Sequence, residues 1–361
     1  MKKIISILLV LVLCGTCVFQ GFIVMASQTN DARQINAQTV KPYEETDESK
    51  VETSTISSFF AKIKEFFINL FKTIGAWFRV NLKKEEVKWQ GKIYTDFSYG
   101  ELESNKFDLY VPSDGTKENY GLIVYLHAGG FTSGDKSDDE SILKEMCSKG
   151  FVAAGINYSL RDEQHPEVSV YSQSLEIKDS IPFVIEEAKK LGYSIDRMVI
   201  AGGSAGGCLA LLYAYRDADS SPVPVKAVIE MSGPSSFHHE DWTSYGLDQN
   251  YEAAAGLFSV MSGNTITPEM IETNNYADAV KNISAYMWVN ENSVPTLCAY
   301  GKKDAICPFA SARHLVSALE ENNVPHDYIE FPNSGHALLF DPIQQEELSL
   351  KIDEYLEKYL K

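Results

Sequence analysis

The sequence lacks the features that would make a metalloprotein or a disulfide-stapled domain. Six cysteines occur in 361 residues. Cys14 and Cys17 fall in the N-terminal apolar segment, and Cys147, Cys208, Cys298 and Cys307 are far apart with no CxxC pair among them. No metal-ligand spacing appears, and a disulfide framework has nothing to rest on. His238-His239 has no cysteine nearby and reads as a solvated loop pair. Basic residues are scarce: 32 Lys and Arg against 50 Asp and Glu, a net charge of −18. That balance argues against nucleic acid or another polyanion as a partner. There is no internal repeat, which excludes a solenoid. Wholesale disorder is excluded too, because 44% of the residues are apolar and 23% charged.

What is present divides the chain into four stretches. Lys2 and Lys3 precede an apolar run over 4–13 that continues more weakly to Met25. Val24-Met25-Ala26 has the form of a small-x-small cleavage site, so 1–26 reads as a signal peptide or as an uncleaved membrane anchor. Either reading places the protein outside the cytoplasm, secreted or membrane-associated. Residues 27–58 are rich in Thr, Ser, Glu, Asp and Gln and read as a disordered linker. Over 59–84, Phe59, Ile63, Phe66, Leu70, Ile74 and Trp77 recur at helical spacing with Phe60, Phe67, Phe71 and Phe78 beside them. The charges of these stretches are +2, −3 and +5, leaving −22 on residues 85–361. Two readings of the basic amphipathic helix stand. It lies on an anionic membrane surface through residues 59–82, or it packs on the acidic domain that follows.

Residues 85–361 read as one catalytic domain. Short apolar runs at 107–111, 122–126, 151–158, 198–201, 225–231, 296–300 and 327–331 alternate with helical patterns at 139–149, 172–191, 204–216, 308–322 and 344–360. Strands alternating with crossover helices make an α/β fold with a mostly parallel sheet covered on both faces. Pro182 marks a kink if its helix starts early. Residues 235–293 interrupt the rhythm with eight aromatic residues and weak helical signals, and read as a cap over the pocket or as an unrelated satellite bundle.

The chemistry concentrates in Gly202-Gly203-Ser204-Ala205-Gly206. A bare GxSxG is a weak signal, but here a strand pattern precedes it and an Ala/Leu helix follows. That is the strand–turn–helix a nucleophile elbow requires. Ser204 then needs a base. His336, in the loop after the last strand, lies at the same sheet edge. The base needs an orienting carboxylate. Asp304 follows the strand at 296–300, whereas Asp327 opens a strand at the wrong edge and Asp341 comes after the histidine. The order Ser204, Asp304, His336 makes a nucleophile, acid and base. An oxyanion needs donors, and Gly129 and Gly130, after the strand at 122–126, together with the Ala205 N–H, are in position to supply them. His127 reads as a brace for that loop. Cys208 reads as a small core residue.

From about residue 92 the chain resembles the esterase/lipase group of the α/β-hydrolases, in particular hormone-sensitive-lipase-like and acetyl- or feruloyl-esterase-like enzymes. The resemblance rests on His127-Ala128-Gly129-Gly130 with Ser133-Gly134-Asp135, on Gly203-Ser204-Ala205-Gly206-Gly207, on Asp304 and His336, and on Asn157-Tyr158-Ser159-Leu160. It implies hydrolysis of small carboxylic esters through an acyl-enzyme, without cofactor or metal. Ala128 departs from the first glycine of the HGGG loop, and Gly203 stands where many members carry Asp or Glu. A lipase at a membrane surface, an amidase or peptidase of the same fold, and a non-catalytic binding protein are the other readings. The last would ordinarily have lost one of the three residues.

Overall fold

The computed structural model describes residues 89–361. The segment 1–26, the linker 27–58 and the basic helix 59–84 lie outside the described residues. Among the described residues no helix is long and apolar enough to cross a membrane.

Eight strands form one sheet: β1 Gly91–Ser98, β2 Lys106–Pro112, β3 Tyr120–Leu126, β4 Val152–Ile156, β5 Ile195–Gly203, β6 Val225–Met231, β7 Thr296–Gly301 and β8 His326–Phe331. Their order is β1-β2-β4-β3-β5-β6-β7-β8. β1 and β4 flank β2 antiparallel, and every other pair is parallel. This is the α/β-hydrolase fold expected from the alternation. The sequence reading assigns no strand before residue 107, and β1 is an addition to it. β1 is half exposed and breaks its own alternation at a bulge between Tyr94 and Phe97, where Asp96 takes φ 62°.

The helices are α1 Glu140–Ser148, α2 Val170–Lys190, α3 Ala205–Leu212, α4 Tyr251–Ser262, α5 Pro268–Glu272, α6 Ala277–Val280, α7 Phe309–Glu321 and α8 Pro342–Leu360. The central strands β3 and β4 carry no charged residue because both faces are covered. Leu122 and Val124 face the core built by α2, α3 and α7, while Ile123 between them faces α1 and α8. Each such Leu, Ile or Val contributes about 1.5–3 kcal/mol relative to exposure. α2 starts at Val170 because Ser169 and Ser172 form a reciprocal cap, and it runs unbroken through Pro182. The helix after Ser204 ends sooner than its pattern: α3 stops at Leu212 and widens into a π turn over Tyr213–Asp217. There the Arg216 guanidinium reaches Asn282 O and Ser174 Oγ. All four described cysteines are buried and unbridged.

The 235–293 segment carries α4, α5, α6 and three 3-10 turns. Phe237 stacks on Trp242 at 5.5 Å and meets Phe258 edge-on at 5.9 Å. These rings belong to the same apolar core as the sheet face. The histidine pair is not a solvated loop. His239 is buried against the Tyr276 hydroxyl, and His238 stacks on His314 of α7 at 4.6 Å. The aromatic residues that surround them fold inward and carry both histidines with them.

At the antiparallel edge, the Lys136 ammonium bridges Asp96 at 2.9 Å and Asp108 at 3.2 Å. Burial raises the Asp108 carboxyl above its ordinary value, opposed by the Asp96 N–H and by Lys136. Lys136→Ala leaves that carboxyl buried and unpaired, so chemical denaturation should show a loss of about 3–5 kcal/mol. Adding Asp108→Asn should recover part of it.

Candidate active site

Ser204 sits between the end of β5 and the start of α3 with φ 55° and ψ −120°. That conformation costs a residue with a side chain about 1–3 kcal/mol. It is held by Ser204 N–H donating to Met231 O at 2.8 Å and by Cys208 N–H donating to Ser204 O at 3.0 Å. The turn closes only because Gly206 has no side chain. A Cβ there would lie 1.9 Å from Leu126 O and 2.8 Å from His127 O. The same closeness sets the loop after β3 directly against the first turn of α3.

His336 Nε2 lies 2.8 Å from Ser204 Oγ, and its Nδ1 lies 2.7 Å from Asp304 Oδ2. The Asp304 side chain is fully buried and that of His336 is 6% exposed. The second Asp304 oxygen accepts the N–H groups of Ile306 and Cys307 at 2.8 and 2.9 Å. A carboxylate only accepts, so it keeps the proton on Nδ1 and leaves the Nε2 lone pair facing Ser204. The rival carboxylates are engaged elsewhere. Asp327 accepts from Tyr355 and Lys351, far from the histidine loop's tip. Asp341 accepts from Asn333 and from Ser334 Oγ, the latter at 2.6 Å. Ser334 Oγ in turn accepts Phe340 N–H at 2.9 Å. Asp341 therefore braces the loop that carries His336. Sequence reasoning weighed Asp341 only as a partner for the histidine and missed this; Asn333 and Ser334 beside His336 were the available signal.

The loop after β3 is tightly coiled. Gly129 has φ 136°, and a Cβ on it would meet Ser133 O at 1.8 Å. Gly130 and Phe131 follow at φ 60° and 67°. Gly129 O accepts Ser133 N–H at 3.0 Å. His127 stacks flat on Tyr158 at 4.2 Å, its Nδ1 lies 2.8 Å from Ala128 O, and Tyr158 OH donates to His127 O. Burial lowers the pKa of His127, which favours a neutral ring that donates to Ala128 O. That is the geometry of a brace. Beyond Phe131 and Arg161 lies an open cavity of about 310 Å³ lined by Arg161, Glu167, Ser259, Asn264 and Thr265. Among the described residues no group of three or more His, Cys, Asp or Glu is placed to hold a metal.

Against this geometry stand the comparisons with known proteins. The BD-FAE family model matches residues 107–319. The chain belongs to the BD-FAE family. Esterase LipC of Mycobacterium tuberculosis is 22% identical over 249 residues, covering 66% of this chain and 58% of that protein. Kynurenine formamidase of Danio rerio is 28% identical over 142 residues, covering 38% and 45%. This BD-FAE chain spans about half the length of the curated relatives it matches. Esterase B from Lactobacillus rhamnosis superposes with a TM-score of 0.63 at 17% identity, over 87% of this chain and 97% of that one. The Thermogutta terrifontis esterase Est2 gives 0.57 at 20% identity, over 77% and 96%. Both have the fold described above.

Gly206→Ala should lower stability by about 1–3 kcal/mol or more, because backbone rather than a mobile side chain must yield. Gly203→Ala, whose Cβ would sit 3.8 Å from its nearest neighbours, should stay within about 0.5 kcal/mol. Paired thermal melts of the two variants check this contrast.

Proposed function

We propose that this protein hydrolyses carboxylic esters through an acyl-enzyme on Ser204. The observation that carries the reading is the unbroken hydrogen-bond chain from Ser204 Oγ through His336 to Asp304. His336 takes the Ser204 proton as Oγ attacks the ester carbonyl. Asp304 holds the ring in the required tautomer and stabilises the imidazolium. The N–H groups of Gly129, Gly130 and Ala205 receive the oxyanion, each worth up to ~10²–10³ in rate. His336 then protonates the departing alcohol, and a water activated by the same nitrogen frees Ser204. The esterase names of several relatives support this chemistry.

The 235–293 segment forms one wall of the site in this reading. Tyr245 OH donates to Ile306 O at 2.8 Å, which ties the segment to the loop carrying Asp304. Leu339 and Phe340 are exposed on the loop that carries His336 and offer an apolar edge to a substrate. That edge and the basic aromatic stretch 59–82 together favour esters presented at a membrane surface by an exported enzyme. Amide hydrolysis by the same residues is the second reading, favoured by the likeness to kynurenine formamidase.

The test uses the full chain on p-nitrophenyl acetate, butyrate, octanoate and palmitate. Ser204→Ala should lose up to ~10⁶ in turnover, and Asp304→Asn about 10⁴. Turnover restricted to the long chains would identify a lipase. Ester turnover absent, with Ser204-dependent cleavage of an aryl formamide, would establish the amidase instead. No Ser204-dependent turnover of either class from folded protein would overturn both.

A further inference from the structure

Glu230 is a carboxylic acid with no exposed surface, placed in the middle of the sheet. On β6 it pairs with Gly202 of β5 on one side and Cys298 of β7 on the other. It therefore lies between the strand that delivers Ser204 and the strand that delivers Asp304. Its Oε2 accepts Gly233 N–H at 2.8 Å, while its Oε1 is buried with no partner. Two glycines make room for it. A Cβ on Gly207, in the first turn of α3, would stand 3.2 Å from Oε2, and one on Gly233 would stand 3.0 Å away. Tyr300 OH donates its single proton to Gly233 O at 2.9 Å, so its oxygen can only accept from the carboxyl beside it. Among the described residues no basic side chain pairs with Glu230. A buried carboxylate without a cation is costly, and an uncharged acid that donates a proton is not.

We propose that Glu230 is a positioning residue for the proposed triad: its uncharged carboxyl packs between the Ser204-bearing turn of α3 and the end of β7 that carries Asp304, and its ionisation loosens that packing. This rests on the hydrolase reading. The titratable groups that face Glu230 are Cys208 of α3, Tyr215 of the π turn, Cys298 and Tyr300 of β7, Cys307 after Asp304, and Tyr328 of β8. Burial pushes every one of these thiols and phenols up, so none carries charge in the working range. Burial also pushes Glu230 up to about 8, held back by the Gly233 N–H. Ionisation then places a charge behind Cys307, whose N–H holds Asp304, and draws water into that packing.

The experiment compares wild type with Glu230→Gln, which keeps the shape and the donor and cannot ionise. Wild-type kcat/KM should fall about tenfold from pH 7 to pH 9, because a group titrating at about 8 is then roughly nine-tenths ionised. The pH 9 to pH 7 ratio of the variant should be higher by a comparable factor. Thermal melts give a readout independent of activity. The folded value lies above the unfolded carboxylate value of ~4.3, so Glu230's contribution is intact below that pH and is lost as pH rises through about 8. The wild-type midpoint should thus fall relative to Glu230→Gln across that window and run parallel above it. Superimposable pH profiles with Ser204-dependent turnover would overturn the Glu230 role alone. Absence of Ser204-dependent turnover in wild type would overturn the hydrolase reading and this role with it. Should Glu230→Gln not fold, the wild-type midpoint against pH decides. Asp108 and Asp139 are also pushed up by burial, Asp139 to about 7, and a decline retained in both Asp108→Asn and Asp139→Asn supports the proposal, whereas a flat profile in either sinks it.

Discussion

The first turn of α3 approaches the ends of β3 and β5 so closely that no side chain fits between them. Gly206 occupies that contact, facing Leu126 O and His127 O. Leu126 pairs with Gly202 in the parallel register of β3 and β5, so the loop after β3 and the elbow after β5 leave the sheet side by side. The positive φ of Ser204 follows from closing the chain over so short a distance. A penalty of about 1–3 kcal/mol is small beside the burial of the two apolar faces of the sheet. β7 and β8 then lie one and two strands beyond β6, and their outgoing loops bring Asp304 and His336 back to the same edge.

Buried polar groups hold this arrangement, and their surroundings differ in a way that matters. Asp304 has two backbone donors and the His336 ring around it. Asp341 collects Asn333 and Ser334 and fixes the loop under His336. Glu230 has one backbone donor, an unpartnered oxygen and only thiols and phenols about it, a setting that favours the neutral acid.

Most of the architecture is legible in the chain because the central strands are covered on both faces. Their apolar runs, such as those of β3 and β4, are short, continuous and bounded by turn residues. β1 is not legible, since it is half exposed and bulged at Asp96, so neither continuity nor clean alternation marks it. The early end of α3 is not legible either. Its apolar pattern continues to Arg216, and the widening follows from contacts of Arg216 with Ser174 and Asn282, distant in sequence. The histidine pair reads wrongly because its burial depends on Tyr276 and His314, 37 and 76 positions away.

The residues of the proposed site are those the sequence itself singles out. A serine flanked by glycines after a strand, an acid after a later strand and a histidine after the last can serve one chemistry in that order. Local covalent constraints carry that information: glycine permits the turn, and strand direction sets the edge. Strand direction and chain order already favour Asp304 over Asp327 and Asp341, and what tertiary structure decided is what surrounds each of these chemically alike acids. The setting of Glu230 was decided there as well. A carboxyl's ionisation depends on solvent, cations and donors within a few ångströms, and these are assembled from β6, β7 and α3 only when the sheet closes.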